Sequence, residues 1–144
     1  MIECFAVARL SQNDIEELLR RPIISVVSTI RPDDTPHMTP VWHLVDDGDV
    51  VIAIEDSSVK ARNVRANPKA ALCVVTDETP QRWGLFSGNA RLSTEGVDEF
   101  VRDISVHYMG EEEGIRYARR AVKDIDFVLL RITPTRTSGS DGEE

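Results

Sequence analysis

Cysteine is scarce in this chain, and its two copies, Cys4 and Cys73, lie far apart and outside any Cys-x-x-Cys pair. This spacing excludes a disulfide-rich scaffold and a thioredoxin-like redox motif. Cys73 lies inside an apolar run over residues 70–75. A buried structural thiol is therefore favoured there over a disulfide or a reactive nucleophile.

Long apolar runs are also absent. No stretch of the sequence approaches the roughly 20 apolar residues that a membrane-spanning helix needs. Residues 1–9 carry Glu3 among apolar residues and lack the basic start and the small-residue cleavage site of a secretory signal. We therefore expect a cytoplasmic protein that has no membrane partner.

Positive charge is in short supply as well. The chain has 17 Lys and Arg against 25 Asp and Glu, a formal net charge of −8. That balance argues against a nucleic-acid binder, which must neutralise phosphates with clustered basic side chains. One stretch runs the other way: residues 58–69 contain Lys60, Arg62, Arg65 and Lys69 and no acidic residue.

Motifs for nucleophilic or metal-dependent catalysis are missing. The sequence has no Gly-x-Ser-x-Gly elbow and no Gly-rich phosphate loop. His37 and His43 would face the same side of one predicted strand, but six residues of strand span roughly 20 Å, so one ion cannot bind both. His107 lies on a predicted helix without a second ligand nearby. We predict no metal site and no catalytic residue supplied by the protein.

What the sequence does contain is an α+β pattern of one domain's length. Ser11 followed by Asp14 resembles a capping box, which predicts the start of a helix, and Pro22 predicts its end. Residues 23–30, 37–45 and 50–54 are rich in β-branched residues and are separated by short turns, which predicts an antiparallel meander.

The second half of the sequence adds further elements. We predict a helix over residues 58–67, strands over 70–76 and 82–92, helical stretches over 97–108 and 115–122, and a closing strand over 127–132. Six strands with little helix between them favour a small barrel over a parallel sheet. Residues 1–137 are predicted to form a single domain, and residues 138–144 a disordered tail.

The second predicted strand has an unusual composition. Pro40 cannot donate a hydrogen bond to a neighbouring strand, so it predicts an edge strand or a bulge. Alternation along the strand gives two faces, one with Met38, Pro40, Trp42 and Leu44, the other with His37, Thr39, Val41 and His43. The first face is more apolar and is expected to face the core. The mixed face is typical of a surface that meets a ligand or a partner, and equally of an ordinary half-exposed strand.

The basic stretch begins with a possible anion site. Ser57 and Ser58 stand where a helix is predicted to start, and Lys60 follows within the first turn. Free backbone N–H groups and the positive end of the helix dipole attract phosphate there, and a lysine adds a full charge. Lys60 and Asn63 are three residues apart and so share a helix face. A solvated basic helix would have the same sequence, and both interpretations are open.

The order of these features resembles the pyridoxamine 5'-phosphate oxidase-like split-barrel superfamily, in particular its deazaflavin-dependent reductase branch. The similarity runs from about residue 10 to residue 134, and it depends on the succession of short motifs. The motifs are the strand over 24–29, Pro32-Asp33-Asp34-Thr35-Pro36, Thr39-Pro40-Val41-Trp42, Ser58-Val59-Lys60-Ala61-Arg62-Asn63-Val64, Asn67-Pro68, Arg82-Trp83 and Gly88-Asn89-Ala90.

The resemblance implies a mainly β, six-stranded antiparallel split barrel with peripheral helices, which dimerises with two cofactor sites between the subunits. It implies that Met38, Thr39, Pro40, Val41 and Trp42 flank a flavin or deazaflavin ring. It places the phosphate-bearing tail against Ser57, Ser58, Lys60 and Asn63, and Arg82 and Trp83 of the other subunit over the ring. Many relatives carry a second basic residue where this chain has Ser58, which weakens the expected phosphate contact.

The function implied by this resemblance is an oxidoreductase that uses coenzyme F420 to transfer a hydride to an unsaturated small molecule. Such a transfer needs no dedicated catalytic base, in agreement with the motifs that are missing. Two alternatives are open. The same fold could carry FMN, or the protein could bind a flavin, deazaflavin or tetrapyrrole without catalysis.

Overall fold

A computed structural model of the protein describes residues 9–141, and these form four helices and seven strands. In chain order they are α1 (Gln12–Arg20), β1 (Ser25–Ile30), β2 (Pro36–Val41), β3 (Leu44–Asp46), β4 (Asp49–Glu55), α2 (Val59–Ala66), β5 (Lys69–Val75), β6 (Trp83–Ser93), α3 (Val97–Met109), α4 (Glu111–Asp124) and β7 (Phe127–Ser140). The predictions on residues 1–8, Cys4 included, and on residues 142–144 lie outside the described residues. None of the helices over residues 9–141 has the length and apolar character needed to cross a membrane.

Local signals fix where the first two helices start. The Ser11 hydroxyl accepts a hydrogen bond from the backbone N–H of Asp14 at 3.1 Å, so the predicted cap of α1 is confirmed. Ser58 caps α2 in the same way, accepting from the N–H of Ala61 at 3.2 Å. Each cap satisfies a backbone donor that the first turn of a helix leaves unpaired.

Helices α3 and α4 form a tight hairpin whose geometry depends on two glycines. Gly110 separates the helices with a φ of 88°, a conformation that side chains with a Cβ rarely adopt. Gly114 faces α3 so closely that a Cβ there would lie 2.6 Å from backbone atoms of Val106. The two helices can pack this closely only because residue 114 has no side chain.

The strands form one antiparallel sheet in the order β2-β1-β5-β6-β7-β4-β3. The sequence predicted one strand over residues 37–45, but the chain breaks it at Trp42 and His43 into β2 and β3. The six-strand prediction is corrected to seven. The pairings of the predicted meander are present, because the first half of the broken strand, β2, pairs antiparallel with β1 and the second half, β3, pairs antiparallel with β4. Pro40 does lie in an edge strand, as predicted.

The break also explains the shape of the sheet. Strands β2 and β3 are its two edges, yet only two residues connect them. Three Cα–Cα steps cover at most about 11 Å. The sheet must therefore curl until its edges approach each other, which gives an open barrel with no backbone pairing between β2 and β3 in the described ladders.

The last strand is longer than the sequence indicated. Residues 138–140 were predicted to be disordered, but β7 runs to Ser140, and Ser138 and Ser140 pair with Leu85 and Trp83 of β6. The prediction is wrong for residues 138–140 because it relied on their polar composition alone. The start of β6, residues 83–85, pairs with this segment residue by residue. Residue 139 is a glycine, and a larger residue would clash there, because a Cβ would lie 2.7 Å from the carbonyl oxygen of Trp83.

The core fills the inside of the curled sheet. It is built from buried side chains of the strands together with those of α1 and α2, among them Leu18, Val27, Ile52, Val64, Leu72, Phe86, Leu130 and Ile132. The α3–α4 hairpin covers part of the outer surface, where Phe100 and Ile104 pack on Val51 of β4 and Leu129 of β7.

The outer surface of β2, β1, β5 and β6 carries no helix in the described part of the chain, and we call it the bare face. The strand register places Pro40, Val26, Cys73 and Leu85 in one row across it. Met38 also points outward and is 61% exposed. The more apolar side of β2 was predicted to face the core, and this is wrong: Val41 and His43 of the mixed side face inward instead. Cys73, predicted to be buried, is partly exposed.

Candidate functional site

A cavity of about 410 Å³ lies between the ends of β2 and β4, the start of α2 and the α3–α4 hairpin, and we call it the groove. Five residues predicted from the sequence line it together: Pro40, Val41, Trp42, Ser58 and Lys60. The remaining lining residues are Ala53, Ile54 and Glu55 of β4, Val101, Ile104, Ser105 and Tyr117 of the hairpin, and Ile125 and Phe127.

One end of the groove is polar and carries a cation. The ammonium of Lys60 donates a hydrogen bond to the hydroxyl of Thr39 at 3.1 Å, which joins α2 to β2. Burial lowers the pKa of Lys60, while the nearby carboxylate of Glu55 acts in the opposite direction. Ser58 stands at the same end as the cap of α2, where the helix dipole is positive.

Asn63 is not in the groove. Its side chain is 2% exposed, and its amide donates to the hydroxyl of the fully buried Thr29 at 3.1 Å. Helical spacing placed Asn63 beside Lys60, but α2 is turned so that Lys60 faces the groove and Asn63 faces the core. Its role as a phosphate ligand remains a prediction, and the contact that it makes holds α2 on β1.

Ser57 lies on the other side of the start of α2. It is exposed and lines a separate surface cavity together with Ser58, Arg62 and Arg65. Arg65 forms an ion pair with Asp56. Ser58 borders both this cavity and the groove.

Three predicted site residues lie away from the groove of their own chain. Met38 and Trp83 are on or beside the bare face, and Trp83 is 37% exposed. Arg82 precedes β6, and its backbone N–H donates to the hydroxyl of Thr76 at 3.0 Å. A single chain does not bring these residues to the groove, so their predicted roles require a second subunit.

Another part of the groove wall is aromatic and apolar. The indole of Trp42 meets the ring of Tyr117 with centroids 6.1 Å apart and planes inclined by 56°. Sequence analysis missed Tyr117 and the rest of the hairpin wall. The sequence did contain a signal, because Tyr117 falls outside the apolar stripe that Ile115, Ala118 and Val122 form on α4. In the structure the Tyr117 side chain is 36% exposed.

The chain segment that carries Trp42 is fixed by the buried His43. His43 Nε2 lies 2.6 Å from the carbonyl oxygen of Leu19, which can only accept, so the proton is on Nε2. Nδ1 then accepts from the hydroxyl of Ser25 at 2.8 Å. Burial lowers the pKa of His43, so the ring is neutral near pH 7.

The histidines form no metal site. Among residues 9–141 no group of three or more His, Cys, Asp or Glu side chains is arranged to hold an ion. His37 Nδ1 is shielded from solvent and has no hydrogen-bond partner in the part of the chain described. Burial and the charges of Arg31 and Lys60 lower the pKa of His37.

Comparison with known proteins gives the family. Residues 11–141 match the family model described as pyridoxamine 5'-phosphate oxidase. The chain belongs to the pyridoxamine 5'-phosphate oxidase family. None of the curated proteins compared with it matches.

Solved structures of this split-barrel fold resemble the chain over nearly its whole length. A conserved hypothetical protein of Mycobacterium tuberculosis is 25% identical, with a TM-score of 0.76, 92% of this chain covered and 86% of that one. An F420 reductase is 24% identical, with a TM-score of 0.69 and coverage of 85% and 94%. An FAD-binding protein of Mesorhizobium loti is 15% identical, with a TM-score of 0.70 and coverage of 94% and 98%.

The groove of this family member fits an elongated ligand with two chemically different ends. Lys60 and the start of α2 provide charge and backbone donors for an anionic group. Trp42 and Tyr117 provide aromatic surface for a planar ring. A flavin or deazaflavin nucleotide has this combination of groups, so the residues present fit the cofactors that the fold implies.

Proposed function

We propose that the protein is an oxidoreductase that binds coenzyme F420 in the groove and transfers a hydride to an unsaturated small-molecule substrate. The observation that carries this proposal is that one cavity joins the Lys60 ammonium to the aromatic pair of Trp42 and Tyr117. When bound, the cofactor supplies the hydride, and the protein supplies position, charge and exclusion of water.

Each part of the groove has a task in this proposal. Lys60 and the free backbone donors near Ser58 bind the phosphate of the cofactor tail. Pro40, Val41 and Trp42 lie along the ring, and the apolar side chains of the α3–α4 hairpin keep water away from it. The proton that completes the reduction comes from solvent or from the substrate, because the proposal assigns no catalytic acid to the chain.

We further propose that the protein is a homodimer whose subunits meet through the bare face. The hairpin covers the outer surface of β4 and β7, whereas the outer surface of β2, β1, β5 and β6 carries Met38, Val75, Trp83 and Leu85 with 61%, 46%, 37% and 38% of their surface exposed. A contiguous apolar patch of this kind marks an interaction site. In such a dimer Arg82 and Trp83 would complete the site of the second subunit.

The choice of F420 over FMN is supported by likeness to an F420 reductase across 94% of that protein's length. The tail of F420 continues past its phosphate into a chain of carboxylates, and Arg62 lies in the cavity that shares Ser58 with the groove. FMN in the same groove is the second candidate, and the FAD-binding relative of similar fold supports it.

The decisive experiment is a titration of the purified apoprotein with F420 and, separately, with FMN, followed by cofactor absorbance and tryptophan fluorescence. We expect micromolar binding of F420, and oxidation of its reduced form when an enone acceptor is added. Binding of FMN but not F420 would replace the first candidate by the second. Binding of F420 without turnover of any acceptor would make the protein a carrier, and binding of neither cofactor would contradict the groove assignment.

A further inference from the structure

We propose that Tyr108, which lies outside the groove, is a positioning residue that fixes the plane of Trp42 so that the indole presents one open face to the ring of a bound ligand. This inference deepens the proposed function and rests on it, because it takes the ligand to carry a planar ring. It assigns ring binding and phosphate binding to two separate parts of the chain.

The first observation is a parallel stack. The rings of Trp42 and Tyr108 have centroids 4.7 Å apart and planes inclined by only 7°. Trp42 and Tyr117 line the groove, whereas Tyr108 does not. Tyr108 therefore covers one face of an indole that also borders the groove, where Tyr117 is its second aromatic neighbour.

The second observation is that the phenol of Tyr108 is anchored at its far end. Its hydroxyl donates to the carbonyl of Ile23 at 2.9 Å and accepts from the backbone N–H of His43 at 3.1 Å. One partner precedes β1 and the other directly follows Trp42. A ring held by packing along its face and by hydrogen bonds at its tip has little freedom to slide or tilt.

The third observation is that His43, one hydrogen-bond partner of Tyr108, is itself held in place. His43 is fully buried, and its two ring nitrogens are bonded to the carbonyl of Leu19 and to the hydroxyl of Ser25. The backbone that carries Trp42 is thereby tied to the end of α1 and to the start of β1. Tyr108 belongs to α3, and its contacts with His43 and Trp42 tie α3 to this segment as well. The α3–α4 hairpin and the indole are therefore held in one relative position.

These contacts predict different consequences for the two ends of a ligand. Loss of the Tyr108 hydroxyl releases the stack and weakens the binding of the ring, whether or not a phosphate is attached. Loss of the Lys60 ammonium, in another part of the groove, weakens only ligands that carry the phosphate. A preorganised aromatic surface raises affinity by reducing the ordering cost of binding.

The test compares ligands with and without the phosphate. The probes are F420 and FMN, each paired with its phosphate-free counterpart, the deazaflavin alcohol and riboflavin. The parent protein is the wild type, and its affinities are measured by cofactor fluorescence. The emission of Trp42 alone is measured in a second background that carries Trp83→Phe, since the sequence has two tryptophans. The variants are Tyr108→Phe, which keeps the ring, Tyr108→Leu, which removes the stack, and Lys60→Ala.

We expect Tyr108→Phe to weaken both members of a pair by the same factor, about three- to tenfold, as the loss of ordering hydrogen bonds would give. Tyr108→Leu should weaken both further. The quench of Trp42 emission at saturation should be smaller in both variants, with binding stoichiometry unchanged. Lys60→Ala should weaken the phosphate-bearing member more than tenfold and leave its counterpart at the affinity of the parent protein.

The control is Ile15→Val, a substitution in the core beneath α1 that lowers stability without touching Trp42. It should leave all affinities and the Trp42 quench unchanged. The inference is overturned if both Tyr108 variants bind every probe like the parent protein while only their melting temperatures fall. A parent protein that binds none of the four probes contradicts the proposed function instead, so the two failures are distinguishable.

Discussion

The ammonium of Lys60 lies 3.1 Å from the hydroxyl of Thr39, so the first turn of α2 is linked to the edge strand β2 at the polar end of the groove. This hydrogen bond holds a long, flexible side chain in one position before any ligand arrives. Ordering a lysine at the moment of binding costs free energy, and a lysine that is already ordered avoids that cost.

Replacement of Lys60 by alanine should weaken binding of the phosphate-bearing cofactor by more than tenfold, because it removes a charge-assisted contact. The measurement is a fluorescence titration of wild type and variant at one ionic strength. Lys69→Ala is the matched control, since Lys69 is exposed at the start of β5 and does not line the groove. An unchanged affinity in Lys60→Ala would exclude α2 as the phosphate site.

The bare face gives a prediction about assembly. Leu85→Asp places a charge on the bare face, at the β6 end of the row that begins with Pro40. It should convert a dimer into monomers, because burying an unpaired carboxylate in an interface is costly. Sedimentation velocity measures the mass directly. Val59→Asp makes the same type of change at another exposed apolar residue, on α2, and should leave the dimer intact. A monomeric wild-type protein with full cofactor affinity would contradict a shared site.

The contact between α3 and α4 predicts a loss of stability. A methyl group at residue 114 would lie 2.6 Å from the backbone of Val106, which cannot move aside without separating the helices. Gly114→Ala should therefore lower the free energy of unfolding by about 1–3 kcal/mol, despite the higher helix propensity of alanine. Urea unfolding tests this. The control is Glu113→Ala, at the neighbouring exposed position, which should change the free energy of unfolding by less than about 0.5 kcal/mol.

Stability should also depend on pH through His43. Burial lowers the pKa of His43 in the folded protein, whereas in the unfolded chain it titrates near its ordinary value of 6.5. The unfolded state then binds more protons as the pH falls below about 6.5, so the free energy of unfolding decreases, by at most about 1.4 kcal/mol per pH unit for one proton.

The measurement for His43 is urea unfolding at pH 7.5, 6.5 and 5.5 in a His37→Gln background. That background is needed because the pKa of His37 is lowered too. In the folded protein the proton resonances of the His43 ring should not titrate near pH 6.5. A flat stability profile, or a normal titration of His43, would show that the ring is not held neutral.

The parts of the fold that could be predicted are those with local signals. Ser11 and Ser58 cap helices because a hydroxyl one turn before an N–H satisfies it in any context. Pro40 indicated an edge strand because it lacks a donor wherever it lies. The break at His43 could not be predicted, because it depends on hydrogen bonds to Leu19 and Ser25, which only the folded sheet brings near.

The inward face of β2 and the contribution of the hairpin to the groove could not be predicted from the sequence, for related reasons. Alternation identifies two sides of a strand, but it does not say which side faces inward when an apolar outer surface also exists, as it does around Met38 and Leu85. Lys60 and Trp42 were identified through their motifs. Tyr117 and Phe127 reach the groove only because the sheet curls and the hairpin folds back across it.

The two edge strands have a consequence for the behaviour of the protein at high concentration. Strand β2 carries Pro36 and Pro40, neither of which has an N–H to donate, and β3 is only three residues long. Neither edge offers the uninterrupted row of backbone groups that lets foreign strands add on and grow into fibrils. The chain is thereby protected against aggregation by strand addition, although the apolar face of its sheet stays available for ordered contacts.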